Sequence, residues 1–264
     1  MEIHKPKPVH GCRDFLSEMT VIVLGILIAL GGEQLIETIH WRHEVNETEI
    51  RLTRELGGNV AAAISRLRTA PCIERRLDEI ATVIGDAEKI GKLPPIGALR
   101  RPTLYLWGHG TWDSAVASQT TTHFPAQRLA NFAVAYQFVT RLGDINWQEL
   151  EAWAELWTVV GPGRPFDSSA AGAARLALSH ARILGREMGL ASQGLLNWVK
   201  DLNLPLKGSA RGPSIAAQLR EPLSAYEICQ PIGTQISPRY GQAPLDEVPP
   251  ALEKALSDPE HLYQ

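Results

Sequence analysis

The most apolar part of the chain lies near its N-terminus. Residues Met19 to Gly32 (MTVIVLGILIALGG) carry no charged side chain. As a helix this run is about 21 Å long, shorter than the roughly 30 Å hydrocarbon core of a bilayer. Apolar residues from Phe15 to Ile39 lengthen it, and Trp41 follows where an aromatic side chain would meet the membrane surface. The pattern predicts a membrane-spanning anchor over residues 15–41.

A cleavable signal peptide is the alternative interpretation of this run. The residues that follow it, GGEQLIETIHW, contain no small-residue cleavage site and no helix break before the charged region. The sequence therefore favours an anchor that is retained.

Helical periodicity continues beyond the anchor. No proline occurs between Gln34 and Arg68, and apolar residues recur at three-, four- and seven-residue spacing, which is typical of an amphipathic stalk helix. They are Val45, Leu52, Leu56, Val60, Ala63 and Leu67. Pro71 is predicted to end this helix, and residues Cys72 to Lys89 are predicted to form a second one.

Two further helices are predicted after a loop that contains prolines and glycines. The first starts at Pro125 with an apolar face at Leu129, Phe132, Tyr136 and Val139, and Gly143-Asp144 should break or kink it. Asn146 can cap the continuation, in which Trp147, Trp153 and Trp157 share a face that we expect to be core. The second is capped by Asp167, Ser168 or Ser169, extends to about Leu202, and carries Leu176, Ile183 and Leu190 at heptad spacing.

The predicted fold is therefore all-α, with a transmembrane helix that continues into a periplasmic bundle of about four long helices. The predicted regions are a cytoplasmic leader (1–14), the anchor (15–41), the bundle domain (42–204) and a proline-punctuated C-terminal segment (205–264).

Composition narrows the possible partners. The 264 residues include 26 Lys and Arg against 29 Asp and Glu, for a formal net charge of -3. A nucleic-acid-binding domain is typically basic. The sequence thus predicts no nucleic-acid partner, and the roughly 220 residues after the anchor are enough for one domain with its own core.

Charge alone orients the anchor weakly, because three basic residues precede it and three follow it closely: Lys5, Lys7 and Arg13 before, then Arg42, Arg51 and Arg54. The three leader charges crowd beside the span. With the N-terminus in the cytoplasm, Cys12 lies inside and Cys72 and Cys229 lie outside as an even pair. We predict this orientation and a Cys72–Cys229 disulfide; three unrelated thiols are the alternative.

The leader IHKPKPVHGCRDFLSE followed by VIVLGILIALGGEQLIE resembles the N-terminus of an uncharacterised family of bacterial single-pass inner-membrane proteins. The resemblance covers about the first 45 residues. It implies an inner-membrane anchor, and it carries over no active-site residue.

Small residues form a stripe along the span. Gly25, Ala29 and Gly32 lie on one helix face, which also includes Glu18 and Glu33 near the two ends. Small residues at this spacing let another helix approach closely in a bilayer. We predict a helix–helix contact at Gly25, Ala29 and Gly32, and carboxylates that face the lipid headgroups.

Two groups of residues have a spacing that occurs in metal-binding or catalytic sites. His40, His43, Glu44 and Glu47 share a helix face as metal ligands can, although a solvated face explains them equally simply. His109, Asp113 and Ser114 are close in sequence, but no G-x-S-x-G elbow accompanies them. The sequence therefore predicts no metal, cofactor or catalytic residue, and a hydrolase-like site around His109 is the minor alternative.

These features together favour a membrane-anchored interaction protein without catalytic activity, an accessory or scaffolding subunit of an inner-membrane assembly. Its predicted partners are membrane lipid and another membrane protein or a second copy of the chain. The alternative is a sensor-like ligand-binding bundle that acts through a partner.

Overall fold

The computed structural model describes residues 11–161, 163–202 and 222–232, and its regular elements there are all helical. The α-helices are α1 (Cys12–Ile90), α2 (Gly110–Ala117), α3 (Ala126–Leu156) and α4 (Ser168–Val199). Short 3-10 helices cover Thr120–His123, Trp157–Val159, Lys200–Leu202, Leu223–Ala225 and Glu227–Cys229. The all-α class is confirmed. Most of the predicted leader and C-terminal segment lies outside the described residues.

Helix α1 continues through Pro71, so the prediction that it ends there is wrong. Three long helices, α1, α3 and α4, replace the predicted four. Pro71 lies on the exposed side of the helix, with Thr69, Cys72 and Ile73 buried around it. Burial of the residues on both sides of the proline offsets the roughly 3 kcal/mol that a proline costs inside a helix.

Helix α3 also runs unbroken, through the Gly143-Asp144 pair that was predicted to interrupt it. A Cβ at Gly143 would lie 3.8 Å from the Cβ of buried Trp107, so this position of α3 packs against the tryptophan. Asn146 caps no helix; its side chain hydrogen-bonds the backbone of Tyr105 instead. Of the predicted tryptophan face only Trp153 is fully buried, while Trp147 is 57% exposed.

Helix α4 begins where the Asp167 side chain accepts a hydrogen bond from the Ala170 N–H at 2.8 Å. It packs closely against both α1 and α3. Gly194 allows this approach, because a Cβ there would lie 2.3 Å from the Phe138 ring. The close approach of α4 to α3 at this point therefore depends on a glycine.

The buried apolar residues form two clusters stacked along the bundle. The cluster nearer the N-terminal segment of α1 contains Leu52, Leu56, Phe132, Tyr136 and Leu195. The distal cluster contains Ile73, Leu77, Ile80, Trp153, Ala174 and Ile228. Leu184 packs against both, so the two clusters make one continuous interior.

Candidate functional site

The N-terminal part of α1 has an apolar surface that nothing in the bundle covers. Its large apolar side chains, from Phe15 to Ile39, are between 44% and 71% exposed. An exposed apolar surface of this extent marks contact with a membrane or another protein. Among the described residues this is the one helix long and apolar enough to cross a membrane, judged by length and composition.

The predicted contact residues Gly25, Ala29 and Gly32 lie on this exposed segment of α1. A Cβ added at Gly25 or Gly32 would meet no atom within 4 Å, so both positions are open to an approaching helix. Helix–helix contact at these residues stays a prediction.

Directly after the apolar segment, α1 contacts the 3-10 helix Thr120–His123 and the first turn of α3. The Trp41 and His123 rings stack with centroids 3.7 Å apart and an interplanar angle of 12°. Arg128 donates to Glu49 at 2.7 Å and to the Leu202 carbonyl at 2.8 Å. These contacts make a joint between the apolar segment and the bundle.

A groove of about 670 Å³ opens at this joint. Its lining includes Glu37, Trp41, Arg42, Glu49 and His123, so acidic, basic and aromatic side chains face the same space. The groove lies where the headgroups of a bilayer would surround α1, if the apolar segment spans that bilayer.

The disulfide predicted from the cysteine count is present in the structure. Cys72 on α1 is bonded to Cys229, 157 residues further along the chain. Arg75 donates to the Cys229 carbonyl at 2.9 Å, and buried Arg76 donates to the carbonyls of Leu99 and Gln230. Residues 222–232 are therefore held against α1 by a covalent bond and by charged hydrogen bonds.

A buried ion pair connects the long helices at the middle of the bundle. The Arg66 Nη2 atom of α1 lies 2.6 Å from Glu149 Oε1 of α3, and both side chains are at most 4% exposed. A Cβ at Gly185 of α4 would lie 3.6 Å from Arg66 Nη2 and 3.7 Å from Glu149 Oε1, so α4 lies in van der Waals range of the pair. Burial raises the pKa of Glu149, and the charge of Arg66 opposes that shift.

The region around His109 holds a carboxylate that sequence reasoning missed. Glu55 of α1 accepts hydrogen bonds from the N–H and hydroxyl of Thr111 and from the Tyr136 hydroxyl, at 2.8 to 3.0 Å. Burial is the main reason that the pKa of Tyr136 is raised, and the carboxylate of Glu55 adds to the rise. Glu55 thus connects α2 and α3 to α1. The residues next to it in the sequence form no motif that would predict this role.

The predicted alternative catalytic residues are only partly brought together. His109 Nδ1 lies 2.6 Å from Asp113 Oδ2, and both side chains are about half exposed. Ser114 makes no side-chain hydrogen bond within the described part of the chain. The pair is a histidine–carboxylate contact at the start of α2, without the nucleophile of a triad.

The histidines after the span form no metal centre with their neighbours. Glu44 pairs with Arg51 at 3.3 Å, and over the described ranges no group of three or more His, Cys, Asp or Glu is arranged to hold a metal ion. His40 and His43 are exposed, whereas Glu44 and Glu47 are partly buried.

Comparison of the chain with protein-family models, with curated proteins and with solved structures finds no match. The functional argument therefore rests on the residues and contacts described above.

Proposed function

We propose that the protein is a non-catalytic interaction protein anchored in the bacterial inner membrane, an accessory or scaffolding subunit of a membrane assembly. The observation that supports this most strongly is α1 itself. Its exposed apolar segment and its buried residues from Leu52 to Ala87 belong to one uninterrupted helix. A continuous helix couples the position of a span to the position of a bundle, because neither can turn without the other.

The buried polar groups also support a structural role for the bundle. Arg66 donates through Nη2 to Glu149, and Arg76 donates to the carbonyls of Leu99 and Gln230, so these side chains connect distant segments of the chain. A catalytic acid or base has to reach a substrate, whereas these side chains reach only protein atoms. We therefore assign them to stability and assign no residue to catalysis.

The disulfide supports an orientation with the bundle in the periplasm and the N-terminus in the cytoplasm. Disulfides persist in oxidising compartments and are rare in the bacterial cytoplasm. Because Cys72 and Cys229 both follow the apolar segment, they lie on the same side of a membrane that α1 crosses once.

A sensor-like ligand-binding bundle is the second candidate, and the groove at the joint favours it. A ligand of moderate size could bind in this groove against Arg42 and the stacked rings of Trp41 and His123. Such a ligand would act on α1 where it leaves the membrane, and a partner would have to relay the signal.

The first candidate predicts that two small residues of the span determine assembly. Replacing Gly25 and Ala29 together with leucine should leave the protein in the membrane fraction and abolish its association with a partner, because bulky side chains prevent close helix packing. Leu24→Ala with Ile28→Ala on another face is the control and should be nearly silent. The measurement is purification in mild detergent with identification of stoichiometric membrane partners.

Equal recovery of partner by both double variants would show that the stripe makes no contact. Recovery of a lone monomer carrying a bound small molecule would favour the sensor instead.

A further inference from the structure

Helix α4 exposes three large apolar residues at heptad spacing. Leu176, Ile183 and Leu190 are 59%, 57% and 63% exposed. The opposite face, which packs on α1 and α3, buries alanines together with larger apolar residues: Ala171, Ala174, Ala177, Leu178, Ala181 and Met188. The three residues that recur at heptad spacing in the sequence therefore lie on the outside of the bundle.

The spacing of this outward stripe fits a second helix. Residues seven apart drift only about 20° around a straight helix, so the three side chains line one seam about 21 Å long. A seam of this kind is the pattern by which two identical helices pair along their length. We call these three residues, Leu176, Ile183 and Leu190, the α4 stripe.

Opposite charges flank the α4 stripe on its two sides. On the side toward α1 are Arg182, bonded to Asp78 at 2.5 Å, and Arg186, which is exposed. On the side toward α3 a groove brings Glu151 and Glu155 next to Ile183. Besides the ion pairs Arg182–Asp78 and Arg141–Glu187, Arg186 thus lies on one side of the seam and Glu151 and Glu155 lie on the other.

We propose that the α4 stripe binds the α4 stripe of a second copy of this chain, with the two helices parallel and a twofold axis along the membrane normal. The parallel direction rests on the proposed function, since two chains anchored in one membrane with one orientation must point the same way. A twofold contact of this kind uses the same patch on both copies.

Charge complementarity favours the parallel pairing. When two parallel helices pair about a twofold axis, the α1-side flank of each faces the α3-side flank of the other. Arg186 of one copy then approaches Glu151 and Glu155 of its partner copy. An antiparallel pair would place arginine beside arginine and glutamate beside glutamate, which is unfavourable.

This pairing leaves the span available for a different contact. The α4 stripe lies on α4, whereas Gly25, Ala29 and Gly32 lie on α1. A dimer through the bundle can therefore bind another membrane protein through its spans, as a scaffold does.

Site-directed cross-linking of the full chain in intact membranes tests the pairing. In a Cys12→Ser background, Leu176→Cys and Ile183→Cys should each form a covalent dimer with themselves when a short bis-maleimide is added. Leu176→Cys coexpressed with Leu190→Cys should form no mixed link, because about 21 Å separates the two levels in a parallel pair. Val116→Cys, an apolar position of α2 that is 49% exposed, is the matched control and should stay monomeric.

A charge swap provides a second readout. Arg186→Glu should reduce the Ile183→Cys dimer, and adding Glu151→Arg should restore it, because the exchanged charges again attract across the twofold axis. Restoration distinguishes the predicted pairing from a general effect of charge on solubility.

Failure of the proposed function and failure of the α4 pairing give different results in this experiment. A chain that leaves the membrane pellet on alkaline carbonate extraction would overturn the proposed function together with the parallel direction. A chain that stays in the pellet but gives no dimer from the stripe positions, equal dimer from Val116→Cys, or cross-links only to other proteins, would overturn the pairing alone.

Discussion

Replacing Cys229 with serine should lower the free energy of unfolding by about 5 kcal/mol, because the native bond closes a very long loop in the unfolded chain. The two cysteines are 157 residues apart in sequence. Since small domains are stable by only about 5–15 kcal/mol, this is a large share of the total. The measurement is denaturant unfolding of the detergent-solubilised protein, with and without reductant.

Cys12→Ser is the matched control for this experiment. Cys12 lies at the start of α1, before the apolar segment, and is no partner of the bond. The variant should unfold like the wild type. Alkylation of both Cys72 and Cys229 in unreduced wild-type protein, or an unchanged midpoint in Cys229→Ser, would contradict the prediction.

Replacing Arg66 with methionine should cost about 3–5 kcal/mol, because it leaves the buried carboxylate of Glu149 without its cation. Changing both partners, Arg66→Met with Glu149→Leu, should recover most of that loss, since the apolar pair has no charge to desolvate. The exposed pair of Arg141 and Glu187, 3.4 Å apart, is the control. Arg141→Met should cost less than about 1 kcal/mol.

The pH dependence of the Arg66→Met variant follows from the pKa of Glu149. Burial already raises this pKa in the native protein, and loss of the Arg66 charge, which lowers it, would raise it further. A carboxyl whose folded pKa exceeds its unfolded pKa favours folding below the unfolded value, and the contribution is lost as pH rises through the folded value. Relative to wild type, the variant should therefore be less destabilised at pH 4 than at pH 8. A difference from wild type that does not change with pH would contradict this assignment.

Hydrophobic periodicity identifies much of the core correctly. Leu52, Leu56, Phe132 and Val139 recur at helical spacing in the sequence and are buried in the structure. The count of cysteines about the span likewise indicated the disulfide. The periodicity is a property of one helix, and the cysteine argument depends only on which side of the anchor each cysteine lies.

Periodicity does not predict helix ends or burial correctly where these depend on packing between segments that are distant in sequence. Pro71 was predicted to end a helix, yet buried neighbours on both sides continue it. Leu176, Ile183 and Leu190 recur at heptad spacing but are exposed, because the opposite face of α4 packs on α1 and α3. In each case the competing contact involves residues far away in sequence.

Buried charges are the second kind of feature that the sequence did not reveal. Arg66 and Glu149 are 83 residues apart, and a charged residue is normally assigned to the surface. The two side chains can be buried because their opposite charges pair. The partners lie on two different helices, so the pattern along either helix does not indicate the pair. The same applies to Glu55, whose hydrogen-bond partners come from two other elements.

The proposed function depends on α1 carrying the bundle on the far side of a membrane, and a topology reporter measures this directly. A reporter that is active only outside the cytoplasm, fused after Gln264, should be active, and removal of residues 15–32 from the same fusion should abolish its activity. Activity of a cytoplasm-only reporter fused at Gln264 would contradict the proposed orientation, and with it the compartment argued from Cys72 and Cys229.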